Sequence, residues 1–220
     1  MLTEMKMKKN LCALMGVLAF CGPAVAETVE VATPHTSLVV DATEGQELKQ
    51  LYYGDRLTAA DLAALADAGG ASYAAYPVYG MNCQSETALA VKHADGNLSL
   101  QMEVTGVDKK TEGKATVTTI KMKDKKYPFY VNVCYKTYSD ADVIETWIEI
   151  SHGEKGTVVL NQFASGYLPV RRGTVWLSSL YGAWANEAQV CQEPLKPGMK
   201  VIKNKDGLRN SHTAHAEVMF

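Results

Sequence analysis

Residues 116–151 read TVTTIKMKDKKYPFYVNVCYKTYSDADVIETWIEIS, and this stretch decides the fold. Thr116 to Met122, Tyr127 to Tyr138 and Val143 to Ser151 are runs rich in Val, Ile, Thr and Tyr, the residues that fit a pleated, half-buried surface. Lys123 to Lys126 and Ser139 to Asp142 separate them, each the length of a hairpin connection. Three successive strands joined so briefly must pair antiparallel, because a parallel crossover needs a dozen residues or more.

The same pattern extends upstream. Leu98, Leu100, Met102 and Val104 alternate with Ser99, Gln101 and Glu103, the signature of a strand buried on one face. Leu89 to His93 lies before it, and Ala94-Asp95-Gly96-Asn97 predicts a hairpin between the two. Asp108 to Lys114 reads as a charged loop. Closer to the N-terminus, Glu27 to Asp41 predicts a first strand with an extended lead-in, and Leu48 to Tyr53 a second that ends at Gly54-Asp55. Thr58 to Ala68 is the one helical stretch. Thr58 and Asp61 have capping-box spacing, and Gly69-Gly70 follows as a stop. Its Ala-rich faces bury little area, so it is expected on the surface of a β domain.

Downstream, Gly156 to Ala164 and Thr174 to Tyr181 predict two more strands, with His152 to Lys155 as a connector before the first. A Gly-Ala-Trp segment then leads to Glu187. Many short strands with one helix describe a mainly β chain, antiparallel sheets packed as a sandwich.

With 220 residues and 47% hydrophobic content, the chain is long enough to bury a sizeable core. Residues 1–26 carry Lys6, Lys8 and Lys9 against Glu4, a net charge of +2, which leaves −4 for the remainder. There is no long basic run, so nucleic acid is not an expected partner. The basic start, the apolar Leu11 to Phe20 and the small residues of Ala24-Val25-Ala26 predict a signal peptide cleaved before Glu27. The apolar run is too short for a membrane span. Export to the periplasm or beyond is the expected localisation. Cleavage would leave Cys83, Cys134 and Cys191, an odd number that allows at most one internal disulfide. His35, His93, His152, His212 and His215 are scattered, and neither a metal site nor a cofactor is expected.

Few residues suggest chemistry by themselves. Asp140 and Asp142 read as solvated turn acids, and Arg171-Arg172-Gly173 as an exposed turn. Glu145 and Glu149 share a strand face with Trp147, an arrangement able to stack on a sugar and equally natural for a solvent-facing strand. No Gly-x-Ser-x-Gly elbow, phosphate loop or dinucleotide fingerprint is present, and Ser211 beside His212 is adjacent in sequence only.

Six blocks occur in an order that resembles one family: LYYGDRL (residues 51–57), AYPVYG (75–80), LAVKHADGN (89–97), DADVIETWIEI (140–150), LSSLYGAWANE (177–187) and LRNSHTAHA (208–216). Together they resemble the N-terminal domain of glycoside hydrolase family 36, the retaining α-galactosidases. The resemblance implies a β-supersandwich over residues 27–220, incomplete at its C-terminal end, ahead of a (β/α)8 catalytic barrel, and often a homo-oligomer. It implies hydrolysis of terminal α-galactosides by two Asp residues of the barrel, one attacking the sugar and one serving as acid and then base. The family's Lys-Trp-Asp nucleophile motif is absent, since Trp147, Trp176 and Trp184 precede Ile, Leu and Ala. No catalytic residue is therefore assigned in this chain.

The chain departs from the family pattern at Asn82-Cys83-Gln84-Ser85, where Gly-Asp-Phe-Arg is usual, and near Ser211-His212, where Asn-Pro does not follow. An acidic residue lying near the galactose site in the family corresponds most nearly to Asp67. Asp67, Trp147 and Trp184 are the candidate carbohydrate-binding residues, with a structural role as the competing reading for Asp67 and packing for Trp184. The resemblance implies that Val158 to Glu187 is the inner sheet and connector supporting a barrel. The expected function is the scaffold or oligomerisation domain of an exported α-galactosidase, inactive alone. The alternatives are a stand-alone carbohydrate-binding module and a structural sandwich without a ligand.

Overall fold

The computed structural model describes residues 27–67, 72–81, 86–170, 175–203 and 218–219. The signal-peptide region, Gly69-Gly70, Cys83, the Arg171-Arg172-Gly173 turn and the Ser211-His212 and His215 positions lie outside the described residues. Within them the chain is mainly β, in antiparallel sheets, with one helix. Its strands are β1 (Thr28–Ala32), β2 (Thr36–Asp41), β3 (Lys49–Asp55), β4 (Tyr73–Ala74), β5 (Leu89–Lys92), β6 (Met102–Glu112), β7 (Ala115–Asp124), β8 (Phe129–Tyr138), β9 (Ala141–His152), β10 (Val159–Phe163), β11 (Trp176–Ala183), β12 (Asn186–Pro194) and β13 (Val218–Met219). Helix α1 spans Ala59–Asp67.

One compact unit runs to Pro169 and a second begins at Val170. In the first, β1-β2-β3-β4 form one sheet, β6-β7-β8-β9 a second, and β5 pairs with β10. One apolar cluster joins all three. Val31, Leu38 and Val40 come from the first sheet, Leu89 and Val91 from β5, and Met102, Ile120, Phe129, Val131, Val133 and Tyr135 from the second. In β8 the core residues Phe129, Val131, Val133 and Tyr135 alternate with Tyr130, Asn132, Cys134 and Lys136, which belong to the opposite face. Burial pushes the Tyr135 phenol up to about 12, so it stays neutral in the core.

Strand β2 is covered on both faces: Ser37, Leu38, Val39 and Val40 are all buried. The Ser37 hydroxyl donates to Glu30 (2.6 Å) and accepts from the Leu57 N–H (3.0 Å), so the chain leaving β3 closes over it. Helix α1 is capped as its sequence indicates. The Asp61 N–H donates to Thr58 Oγ1 (3.2 Å), and the Thr58 N–H donates to Asp61 Oδ2 (3.1 Å).

Several elements differ from the sequence expectation. Glu27 to Asp41 is a hairpin rather than one strand with a lead-in. Pro34 sits in its turn, and the Thr33 hydroxyl accepts the Thr36 N–H at 2.9 Å. Asp108 to Lys114 is not a loop, because β6 continues to Glu112 and turns at Gly113 (φ 60°). Its charges sit on a solvated face and pair locally, Lys121 with Asp108 and Lys110 with Glu112, both at 2.5 Å. The Asp95-Gly96 turn forms, with the His93 N–H on the Asn97 carbonyl at 2.8 Å. The strands it was expected to join do not pair: β5 lies against β10, and Leu98 is exposed while Leu100, Met102 and Val104 are buried.

In the second unit β11 lies between β12 and β13. Strand β12 was not anticipated, since its sequence NEAQVCQEP offers no apolar alternation and nearly every side chain in it is exposed.

Candidate functional site

The outer face of the β6–β9 sheet gathers the polar and aromatic residues into cross-strand rows. Register places Asp108, Thr119, Cys134 and Trp147 in one row. Lys110, Val117, Lys136 and Glu145 form the row on one side of it, and Lys121, Asn132 and Glu149 the row on the other. A bulge between Val104 and Gly106 sets the phase of β6, so Asp108 and Lys110 fall on this face and Val107 on the core face.

Trp147 is half-buried. Its indole N–H donates to Glu149 Oε1 at 3.2 Å, and Asn132 Nδ2 donates to Glu149 Oε2 at 3.0 Å. The hydrogen bonds from Asn132 and Trp147 hold the Glu149 carboxyl below its ordinary value against the smaller opposing effect of burial. Glu145 accepts the Tyr138 hydroxyl and faces Lys136 Nζ at 3.9 Å. Lys136 also stands 4.8 Å above the Tyr138 ring. Beneath this layer Cys134 is buried, with its thiol 3.8 Å from Thr119 Oγ1, and burial raises its pKa. The thiol is therefore protonated and inert. Alongside lies a trough of about 500 Å³ with Ala115, Val117 and Thr119 among its lining residues and Asp108, Glu112 and Lys136 beside them.

A second cluster lies where the turn after β5 meets the connector between β9 and β10. His93 Nδ1 is 2.7 Å from Glu154 Oε1, and the Ala94 N–H donates to Glu154 Oε2 at 3.0 Å. The His93 ring is fully buried, stacked on Tyr127 with centroids 3.7 Å apart and edge-on to Phe129. Burial of Glu154 opposes its ionisation, but the bonds from His93 and Ala94 outweigh that and hold its pKa below the usual value. His93 Nε2 has no hydrogen-bond partner among the described residues. The cluster clasps two turns together. Asp142 makes a similar tie, accepting the hydroxyls of Thr33 and Thr36 and so fastening β9 to the β1–β2 turn.

The three candidate residues sit on different elements. Trp147 lies on β9, Asp67 is the last residue of α1, and Trp184 stands at the β11–β12 turn in the second unit. Trp184 is 87% exposed. Ala185 in the turn carrying it (φ 59°) and Ala188 in β12 (φ 55°) lie in the left-handed region, a conformation alanine adopts at a cost. The Ala185 N–H donates to Glu187 at 3.0 Å and helps fix that turn.

Sequence inspection singled out Trp147 with its two glutamates. It missed Asn132, Lys136 and Tyr138, which come from the neighbouring strand, and the His93–Glu154 pair, whose members are 61 residues apart. The one signal for the former was that both runs alternate, which puts their polar sides on a common face once they pair. Among the described residues no group of three or more His, Cys, Asp or Glu is placed to hold a metal ion. Cys134 and Cys191 are free thiols, and among the described residues no helix is long and apolar enough to cross a membrane.

Curated protein sequences give no match. Solved structures similar to this chain include an α-galactosidase from Lactobacillus brevis, with 21% identity and a TM-score of 0.73 over 88% of this chain and 30% of that one. The galactosidase domain of the α-galactosidase-sucrose kinase AgaSK shows 20% identity and a TM-score of 0.73 over 86% of this chain and 31% of its own. The family 36 α-galactosidase AgaA from Geobacillus stearothermophilus, solved with raffinose, shows 16% identity and a TM-score of 0.74 over 87% and 31%. The chain thus spans about 30% of the length of these enzymes, and the likeness establishes a shared fold. A profile described as the glycosyl hydrolase family 36 N-terminal domain matches residues 46–220, which include the strands from β3 onward and the sheet bearing Trp147. The chain belongs to the glycosyl hydrolase family 36 N-terminal domain family.

Proposed function

We propose that this chain is the scaffold and oligomerisation part of an exported α-galactosidase and does not itself break glycosidic bonds. The profile match over residues 46–220 carries this reading. The chemistry supports it as well. Glycoside hydrolysis of this kind needs two carboxyl groups flanking a bound sugar. Three of the acids described above are instead tied to structural partners: Glu149 to Trp147 and Asn132, Glu154 to His93, and Asp142 to Thr33 and Thr36. Terminal α-galactosides are the substrate class of the complete enzyme in this reading, in keeping with the relatives solved with raffinose and stachyose. The second unit favours the oligomerisation role, because Trp176, Val190, Met199 and Val201 are all more than half exposed.

Expression in a Gram-negative host with mass spectrometry of the product tests export, with Glu27 expected as the first residue. Light scattering of that mature chain tests self-association. An oligomer at micromolar concentration is expected, and a strictly monomeric chain would remove the oligomerisation role.

A further inference from the structure

We propose that the outer face of the β6–β9 sheet is a saccharide-binding surface, on which a neutral pyranose-containing oligosaccharide stacks against Trp147 and extends along the adjoining trough. Three observations carry this.

The first is preorganisation. Trp147 is held by its own indole N–H on Glu149, and Glu149 is held in turn by Asn132. The ring is half-buried and its orientation is fixed before any ligand arrives, so little side-chain entropy is lost on contact. A pyranose offers a flat C–H face to such a ring and a rim of hydroxyls that both donate and accept.

The second is the supply of partners for those hydroxyls. Glu145 and Lys136 occupy the row beside Trp147, and Asn132 and Glu149 the row on the other side. Each carboxylate oxygen of Glu149 has one bond, which leaves a lone pair to accept from a sugar. The 500 Å³ trough continues from Lys136 over the small residues Ala115, Val117 and Thr119, and has the volume of an ordinary small-ligand site.

The third is charge balance. Five carboxylates (Glu103, Asp108, Glu112, Glu145 and Glu149) lie on this face with four amines (Lys110, Lys121, Lys123 and Lys136). Lys121 is paired to Asp108 and Lys110 to Glu112. A phosphorylated ligand or a nucleic acid needs a positive field, and this face has none. A neutral polyhydroxylated ligand suits interleaved donors and acceptors of both signs. The proposal does not depend on the α-galactosidase reading, since binding here requires neither turnover nor self-association.

The test is titration of the full-length chain with raffinose and with maltotriose, followed by calorimetry and by the indole N–H resonances of Trp147, Trp176 and Trp184. A saturable shift confined to Trp147 is expected, with a dissociation constant on the order of millimolar. Trp147→Ala is expected to weaken binding more than about tenfold. Trp147→Phe, which keeps a ring on the face, is expected to stay within about threefold, so that loss of binding is separable from loss of fold. Absence of heat with both sugars up to about 50 mM would overturn the proposal. So would a shift confined to Trp176 or Trp184, or binding unchanged in Trp147→Ala.

Discussion

Glu154 has one oxygen on His93 and the other on the Ala94 N–H, and its side chain is only 6% exposed. Replacing it with Gln breaks a charge-assisted bond to a buried ring, which is expected to cost about 1–3 kcal/mol in urea unfolding at pH 7. The pH dependence follows from the lowered carboxyl pKa. Such a group stabilises the fold above its unfolded value of about 4.5, and that contribution is lost as pH falls through the lower folded value. The stability gap between wild type and Glu154→Gln is therefore expected to close below pH 4.5. A gap that persists unchanged at about pH 2 would contradict the assignment. At this scale the sequence is readable for residues that act beside their neighbours, such as Trp147 between Glu145 and Glu149. It is silent on His93 and Glu154, whose pairing exists only after two distant turns have been brought together.

Among the elements, the turn at Tyr79-Gly80 is tightly constrained. Gly80 has φ +109°, and a Cβ there would lie 2.8 Å from the Leu100 nitrogen and the Ser99 Cα, both backbone atoms. Gly80→Ala therefore combines backbone strain with a clash that no side-chain rotation relieves, and is expected to cost more than about 2 kcal/mol. Gly113→Ala has similar strain but open space around it, and about 1 kcal/mol is expected. Denaturant unfolding of both variants checks the order, and a Gly80→Ala protein as stable as Gly113→Ala would refute it. The strands of residues 116–151 were legible because β-branched and aromatic residues fill them. Strand β12 was not, because its polar sequence is a strand only through its ladder with β11. The outer end of β6 failed for a related reason: Asp108, Lys110 and Glu112 look like loop residues until cross-strand partners on a solvated face accommodate them.

On the scale of the whole molecule, the sandwich and the family were legible in the order of six short blocks, while the cross-strand rows around Trp147 needed the register of four strands. The second unit, from Val170 onward, exposes apolar side chains on its sheet: Leu180 faces Val190 across the ladder, and Val190 is 60% exposed. If this surface mediates self-association, Val190→Lys is expected to shift the light-scattering mass toward the monomer, and an unchanged mass would place the interface elsewhere. The central claim is the proposal that this chain does not itself break glycosidic bonds, which rests on Glu149, Glu154 and Asp142 being tied to structural partners and on a sequence without a Lys-Trp-Asp segment. The direct measurement is hydrolysis of an aryl α-galactoside by the purified chain. No turnover above the uncatalysed rate is predicted, and clear hydrolysis that co-purifies with the chain would contradict the account.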